Sequence, residues 1–403
     1  MRVLVLSQYY APELTAGAWR VSTFCRRLAA TGVDVEVICE IPNHPRGVVE
    51  EGYGRKAFDR RQVDGVHVNY AWVPARPVKT TWNRVAAYGV YAVMATIAGA
   101  LARRPDIVFA SSPPLPVGVA ASMAARRHRR PWVLDVRDLW PAAAVAVGEL
   151  RGDRLVALAT RLEHRLYHSA DAITTPSERA REEIVKTGVP AERIHFVPTG
   201  TTREWLDLGR KVLDREPLHL PRDRFIWTYA GNLGLAQDLH TAIRAAARLG
   251  LEYQLVVVGD GPLRSELEAL AQRLATKSVR FTGLVPAATA GEYMRASDAL
   301  LVPLADAPGL DYAVPSKLFD CCATGRPVIV AARGEAQRVA IAHGIALAIE
   351  PGNADALAAA VRRLRHDRAL CDRLAASARA FAERNSTETQ ADELAAILAS
   401  VLR

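Results

Sequence analysis

Short apolar runs alternate with amphipathic stretches from one end of the chain to the other. In the first half the runs fall at 3–6, 35–39, 66–72, 107–110, 132–135, 172–175 and 194–197. Several are almost continuously apolar, the pattern of strands covered on both faces. Helical periods lie between them. In 15–30, for example, Val21, Phe24 and Leu28 share one face and Gly32 ends the run. The pattern restarts at 226–230, 254–258, 279–282, 299–302, 328–330 and 345–349. Repeated β-α units predict an α/β fold with a mostly parallel, doubly wound sheet, and two series predict two such domains. The polar stretch 199–224, holding Pro217 and Pro221, is the predicted join.

One segment departs from this rhythm. Residues 85–101 carry no charge, with Arg84 before them and Arg103-Arg104 after. A membrane span needs about twenty apolar residues, and this stretch is shorter and rich in Ala and Gly. A buried domain helix is the expected reading. A helix touching a membrane interface, anchored by Trp82, Tyr88, Tyr91 and the flanking arginines, is the alternative.

Composition narrows the class. Of 403 residues, 50% are hydrophobic and 24% charged, which excludes a disordered or collagen-like chain. Five cysteines without a C-x-x-C spacing argue against a disulfide framework or zinc site. Met1-Arg2 leads straight into a strand-like run rather than an export signal, so a cytoplasmic location is expected. The net charge of +9 divides into +8 over residues 1–205 and +1 over 206–403. The first half should therefore attract anionic partners. Aromatics are only 6% and no nucleic-acid-reading motif occurs, so nucleic acid is not an expected partner.

Ligands of open α/β sheets collect in loops at the carboxyl ends of strands. The loop after the first run, 7–17, ends in Gly17 at a helix start. The corresponding loops of the second series carry Gly231-Asn232-Leu233-Gly234 and Gly259-Asp260-Gly261-Pro262. Neither G-x-G-x-x-G opening a helix nor a P-loop is present. The richest stretch is 311–330. Pro315-Ser316 reads as a helix start, Lys317 adds a charge to its positive dipole end, and Asp320 follows one turn in. Asp320 is equally readable as a ribose-binding carboxylate or as a first-turn acid favoured by the dipole. His164 and His168 are spaced one helical turn apart without a third ligand and read as a solvated face rather than a metal site.

The ordered set Gly231-Asn232-Leu233, Val258-Gly259-Asp260-Gly261-Pro262, Phe281-Thr282-Gly283, Ala296-Ser297-Asp298 and 315–327 resembles the retaining GT-B glycosyltransferases of family 4. In the first half, 42–47, Ser112-Pro113-Pro114 and 135–141 are similar to a subgroup acting in bacterial surface-polysaccharide assembly, often with amino sugars. The resemblance covers almost the whole chain. It implies two Rossmann-like domains facing across a cleft: 1–200 on the acceptor side, 201–385 binding the nucleotide-sugar, and a helix in 386–403 crossing back to the first. It further implies a nucleoside-diphosphate-sugar donor, with a UDP-sugar, an N-acetylhexosamine among the choices, favoured over GDP. The acceptor would be anionic or lipid-linked, reached by peripheral membrane contact of the first domain at the inner membrane face.

Carried over by position, Gly17 would let its loop approach the diphosphate, and Asp320 would hold the ribose. Gly231, Asn232 and Gly259 would line the donor loops, with Gly283 and Val285 beside the base. Ser316 and Lys317 would meet the phosphates. The sequence departs from the broad family in four places. Tyr312 stands at the first of two usual Glu positions, with Asp311 adjacent as a substitute. Asn232 and Gln237 replace a phosphate-neutralising Arg and Lys, shifting that load to Lys317, backbone amides and Arg264. Arg137 stands where many relatives carry a sugar-contacting His. Residues 197–202 replace the usual hinge.

No metal-binding D-x-D stands near the expected diphosphate, so a cofactor-free, metal-independent reaction is expected. Catalysis would rest on positioning and electrostatic stabilisation of the leaving phosphate. Glu13 and Asp138 are candidates to orient or deprotonate the acceptor hydroxyl, or else to brace their loops. His44 and Arg46 are placed near the acceptor. The alternatives are the same chemistry on a soluble natural-product acceptor, a nucleotide-sugar epimerase, and a basic nucleic-acid-binding protein.

Overall fold

The computed structural model describes the chain apart from Leu14, 45–46, 55, 77–80, 147, 149, 151, 212–213 and 275–276, and apart from the side chains of 16, 81–82 and 84–85. The chain divides into two units, Met1–Thr199 with Thr387–Arg403, and Gly200–Ser386.

The first unit holds β1 (Arg2–Ser7), β2 (Asp34–Glu40), β3 (Phe58–Val63), β4 (Val66–Ala71), β5 (Ile107–Ser112), β6 (Trp132–Val136), β7 (Ala172–Thr175) and β8 (Ile194–Phe196). They form one sheet in the order β3-β4-β2-β1-β5-β6-β7-β8. Every pair is parallel except β3–β4. β3 was not among the expected strands. Its sequence, FDRRQV, is polar between its ends because it is an edge strand with no buried position, only Phe58 and Val63 packing partly against the core. Its signal is the Asp64-Gly65 turn, both residues at positive φ, that joins it to β4.

The second unit holds β9 (Phe225–Ala230), β10 (Tyr253–Val258), β11 (Val279–Gly283), β12 (Ala299–Pro303), β13 (Val328–Ala331) and β14 (Ala346–Ile349), all parallel, in the order β11-β10-β9-β12-β13-β14. In both sheets the strand order reverses beside the first strand, at β1/β5 and at β9/β12. The loops after those strands are therefore where ligands are expected.

The uncharged segment lies in the helix Thr81–Leu101. Its inner face is core: Tyr91 is fully buried and donates to the Ile38 carbonyl at 3.1 Å, with Ala95 and Ala98 also buried. No helix among the described residues is long and apolar enough to cross a membrane. The terminal helix Thr387–Val401 belongs to the first unit. Ala391, Leu394 and Leu398 join its core, and Asp392 pairs with both Nε and Nη2 of Arg27 at 2.9 Å. All five cysteines are unpaired thiols.

Candidate active site

In the second unit the loop after β9 turns sharply against the loop after β10. The Gly231 amide donates to Val258 and the Gly259 amide to Gly283. Gly259 is obligatory here: its φ is +126°, and a Cβ would overlap the Gly231 carbonyl. Asn232 and Gln237 brace this turn. The Asn232 carbonyl accepts from the Tyr229 hydroxyl at 2.6 Å, and Gln237 Oε1 accepts the Gly234 amide at 3.2 Å.

Lys317 enters from the first turn of the helix Ser316–Ala323. Its Nζ donates to the Tyr229 hydroxyl at 3.0 Å and lies 4.7 Å from the centre of that ring. A phenol, not a carboxylate, thus holds the ammonium, which stays available to an anion beside the helix N-terminus. Lys317, Ser316, Gly231, Asn232 and Tyr229 form one cluster.

Asp320, one turn further, is half-buried. Its Oδ1 accepts from the Thr201 hydroxyl at 3.0 Å. Burial pushes it up to about 7, against the lowering effects of the Thr201 bond and the Lys317 charge. The Asp311 carbonyl accepts the Glu335 amide at 2.7 Å, and Tyr312 is half-buried beside it. Arg264, expected to share the phosphate load, is already committed: it pairs with Glu268 at 2.8 Å and Asp260 at 3.6 Å. It borders Gly283, where a Cβ would come within 2.9 Å of its Nη1. The Val285 side chain is partly buried and packs against a satellite core that holds Ile226, Val256 and Tyr293.

In the first unit, a Cβ at Gly17 would overlap the Arg137 guanidinium, so Gly17 makes room for Arg137. Arg137 Nη2 donates to the Pro113 carbonyl at 2.7 Å. Burial lowers its pKa, countered by Asp138 and Asp135. Burial raises Asp138 above the ordinary carboxylate range, against the Arg137 charge. Glu13 is 5% exposed, and its Oε1 accepts the amides of Asn43 and His44 at 2.8 and 2.9 Å. This geometry braces the backbone at Asn43 and His44. Arg46 lies outside the described residues, as do the side chains of Trp82 and Arg84. His168 contacts the Thr187 carbonyl at 3.0 Å and His164 stacks near Tyr167. Among the described residues no group of three metal-ligating side chains occurs.

Residues 15–200 match the Glycosyl transferase 4-like domain, and 211–381 match Glycosyl transferases group 1. The chain belongs to glycosyltransferase family 4. Within the family it is 28% identical to the putative colanic acid biosynthesis glycosyl transferase WcaI of Escherichia coli K12, over 90% of this chain and 92% of that protein. It is 25% identical to the putative teichuronic acid biosynthesis glycosyltransferase TuaC of Bacillus subtilis, over 91% and 90%. Among solved structures, Anabaena HepE in complex with UDP and glucose aligns with a TM-score of 0.74 at 18% identity, over 99% of this chain and all of HepE. Sucrose-phosphate synthase of Thermosynechococcus elongatus aligns at 0.80, also 18% identical, over 100% of this chain and 99% of that one. The two doubly wound units are those of the GT-B fold.

Several structural residues of this family 4 chain were not singled out by sequence reasoning. Asp135, fully buried, accepts from Arg20, Ser111 and Thr174. It opens the 135–141 motif, but only its partners, 24 to 115 positions away, reveal its role. Tyr229 and Thr201 were likewise invisible, since a Tyr ending an apolar strand and a Thr in a linker carry no pattern of their own.

Proposed function

We propose that the chain transfers a glycosyl group, with retention and without a divalent ion, from a UDP-sugar to the sugar end of a lipid-linked glycan. The observation that carries the donor reading is Lys317: an ammonium on a phenol at a helix N-terminus, one turn from a carboxylate able to take ribose hydroxyls. Transfer breaks the bond from the anomeric carbon to the leaving phosphate and forms one to the acceptor oxygen, which gives up its proton. The negative charge that grows on the diphosphate would meet Lys317 and the first-turn amides. Arg137 and Asp138 would serve the transferred sugar and acceptor, with Asp138, its carboxyl biased toward proton uptake, as the residue that receives or orients the acceptor proton. The UDP bound in HepE, a protein of the same fold, supports UDP over GDP. The polysaccharide roles in the names of WcaI and TuaC support a glycan acceptor.

The test is a thermal-shift titration with UDP and GDP, with and without EDTA. UDP at a hundred times its dissociation constant should stabilise the protein by about 2.7 kcal/mol, with no effect of EDTA. No shift with either nucleotide would overturn the donor reading. Asp320 adds a pH signature. Ribose hydroxyls donate to a carboxylate, so UDP binding should weaken as pH falls below about 7, approaching tenfold per unit. Asp320→Asn should bind weakly at every pH and remove that dependence. The linkage has the opposite sign for the free protein. A folded-state pKa raised above the unfolded value makes stability fall as pH rises through the window between them, so Asp320→Asn should melt higher than wild type at pH 8. A lower melting point for the variant would contradict the assigned environment.

The lipid-linked acceptor is supported by the outer face of the helix Thr81–Leu101. Val93, Ile97 and Leu101 are 60%, 44% and 73% exposed, and Met123 of the adjacent helix Leu115–His128 is 48% exposed. Arg126-Arg127 and Arg103-Arg104 lie exposed just beyond them. An apolar stripe edged by arginines fits an anionic bilayer surface, each charge adding about 1 kcal/mol. The protein should therefore sediment with phosphatidylglycerol vesicles but not phosphatidylcholine vesicles. Val93→Asp with Ile97→Asp should abolish this. Failure of the wild type to sediment would favour a soluble acceptor.

A further inference from the structure

The first unit contains a cavity of about 270 Å³ between the ends of β1, β2 and β4 and the start of the helix Thr81–Leu101. Its size is just below that of typical small-molecule sites, about 300–1,000 Å³, and suits one monosaccharide ring rather than a chain of them. Its inner wall is built from hydrogen-bond acceptors. Glu40, 4% exposed, accepts from Gln8 Nε2 at 2.7 Å and from Asn43 Nδ2 at 2.9 Å. Gln8 is 2% exposed, and with its amide nitrogen committed to Glu40, its Oε1 is enclosed without a partner among the described residues. Such an acceptor is costly to leave unmet, so the site is organised for a donor that arrives with a ligand. The rings of Tyr9 and His44, 5.3 Å apart, supply an apolar face at the same cavity, and Glu13 holds the His44 backbone in place. At the mouth, Arg76 Nη1 donates to Asn83 at 3.0 Å.

We infer that this cavity seats one neutral pyranose, which donates a hydroxyl or amide N–H to Gln8 Oε1 and lays its ring against Tyr9 and His44. Glu40 makes the site selective: a uronate or phosphate at the inner end would face a buried carboxylate in a medium where like charges repel strongly. That this sugar is the terminal residue of the acceptor rests on the transferase reading; that the cavity binds a neutral sugar does not.

The experiment uses the full chain without nucleotide. Methyl glycosides of glucose, galactose, mannose and N-acetylglucosamine, with methyl glucuronide as the anionic probe, are titrated by saturation-transfer NMR. At least one neutral glycoside should bind, and the glucuronide should not. Gln8→Met should weaken the neutral glycoside by about tenfold or more while leaving the UDP thermal shift unchanged. Glu40→Gln, which keeps shape and removes charge, should admit the glucuronide. Should Gln8→Met fail to fold, the gain of glucuronide binding in Glu40→Gln decides the matter. Binding of no neutral glycoside, or glucuronide binding as tight as the neutral sugars in the wild type, overturns the proposal. Loss of UDP binding with glycoside binding intact would overturn the donor reading and leave the cavity's assignment standing.

Discussion

Lys317→Ala should lower kcat/KM for the nucleotide-sugar by about 10²–10³-fold and leave the far-UV circular dichroism unchanged. The ammonium rests on the Tyr229 hydroxyl and ring at the start of the helix Ser316–Ala323. Nothing in that arrangement requires a charge for folding, since a half-buried ammonium on a phenol contributes little to stability. Its value should emerge when negative charge grows on the leaving diphosphate, because a fixed positive group then needs no reorganisation. The loss should therefore fall mainly on kcat, with a smaller effect on UDP binding. Lys317→Arg keeps the charge, but a planar guanidinium cannot reproduce the point contact with Tyr229, so an intermediate rate is expected. Wild-type kinetics in folded Lys317→Ala would remove Lys317 from the mechanism. A lower melting point with normal kcat would mean that the residue only braces Tyr229.

Arg20→Ala should destabilise the first unit by about 3–5 kcal/mol, the cost of leaving a buried charge without its partner. The side chains of Arg20 and Asp135 are 3% and 0% exposed and meet at 3.0 Å. Two further Arg20 bonds, both at 2.9 Å, reach the carbonyls of Val197 and Pro198. The guanidinium thus ties the helix Ala16–Ala30, β6 and the last residues before the boundary at Thr199. Urea denaturation should show the loss, and at roughly 2–4 °C per kcal/mol the melting point should fall by about 10 °C. Burial opposes ionisation of Asp135, but the Arg20 charge and hydrogen bonds, with Arg137 and Ser111, more than offset it and hold the carboxyl below the ordinary range. A depressed folded-state pKa means that this stabilisation is present above the unfolded value and is lost as pH falls through the folded one. The gap between wild type and Arg20→Ala should therefore narrow in acid, where a protonated Asp135 no longer needs a cation. An unchanged melting point at neutral pH would show that the pair is not integral to the fold.

Sequence pattern located most of the strands because parallel strands covered on both faces must be apolar along their length, and a run such as 254–258 is too short and too β-branched for a helix. It missed β3 because an edge strand has no such requirement. The donor cluster was legible as far as single positions reach: Gly231, Gly259, Ser316, Lys317 and Asp320 lie on strand-end loops or at a helix start. The relations among them were not. Tyr229 and Lys317 are 88 positions apart, and Thr201 and Asp320 are 119 apart. Arg264 looked available as a cation until its two acidic neighbours were seen around it. Glu13 was readable as a catalytic carboxylate or as a loop brace, and only the folded chain brings its Oε1 to the Asn43 and His44 amides.

Hydrophobic periodicity, loop glycines and the ordered motifs were enough to establish two doubly wound units and the family, because those features act locally and repeat along the chain. The tertiary structure decided which charges remain available and which are already paired, what Gly17 makes room for, and that Gln8 and Glu40 share one cavity. Those properties depend on distance and desolvation between residues far apart in the chain. A carboxylate, an amide or a guanidinium has the same letter whether it faces a ligand or is held by a neighbour, and only folding brings the neighbour to it.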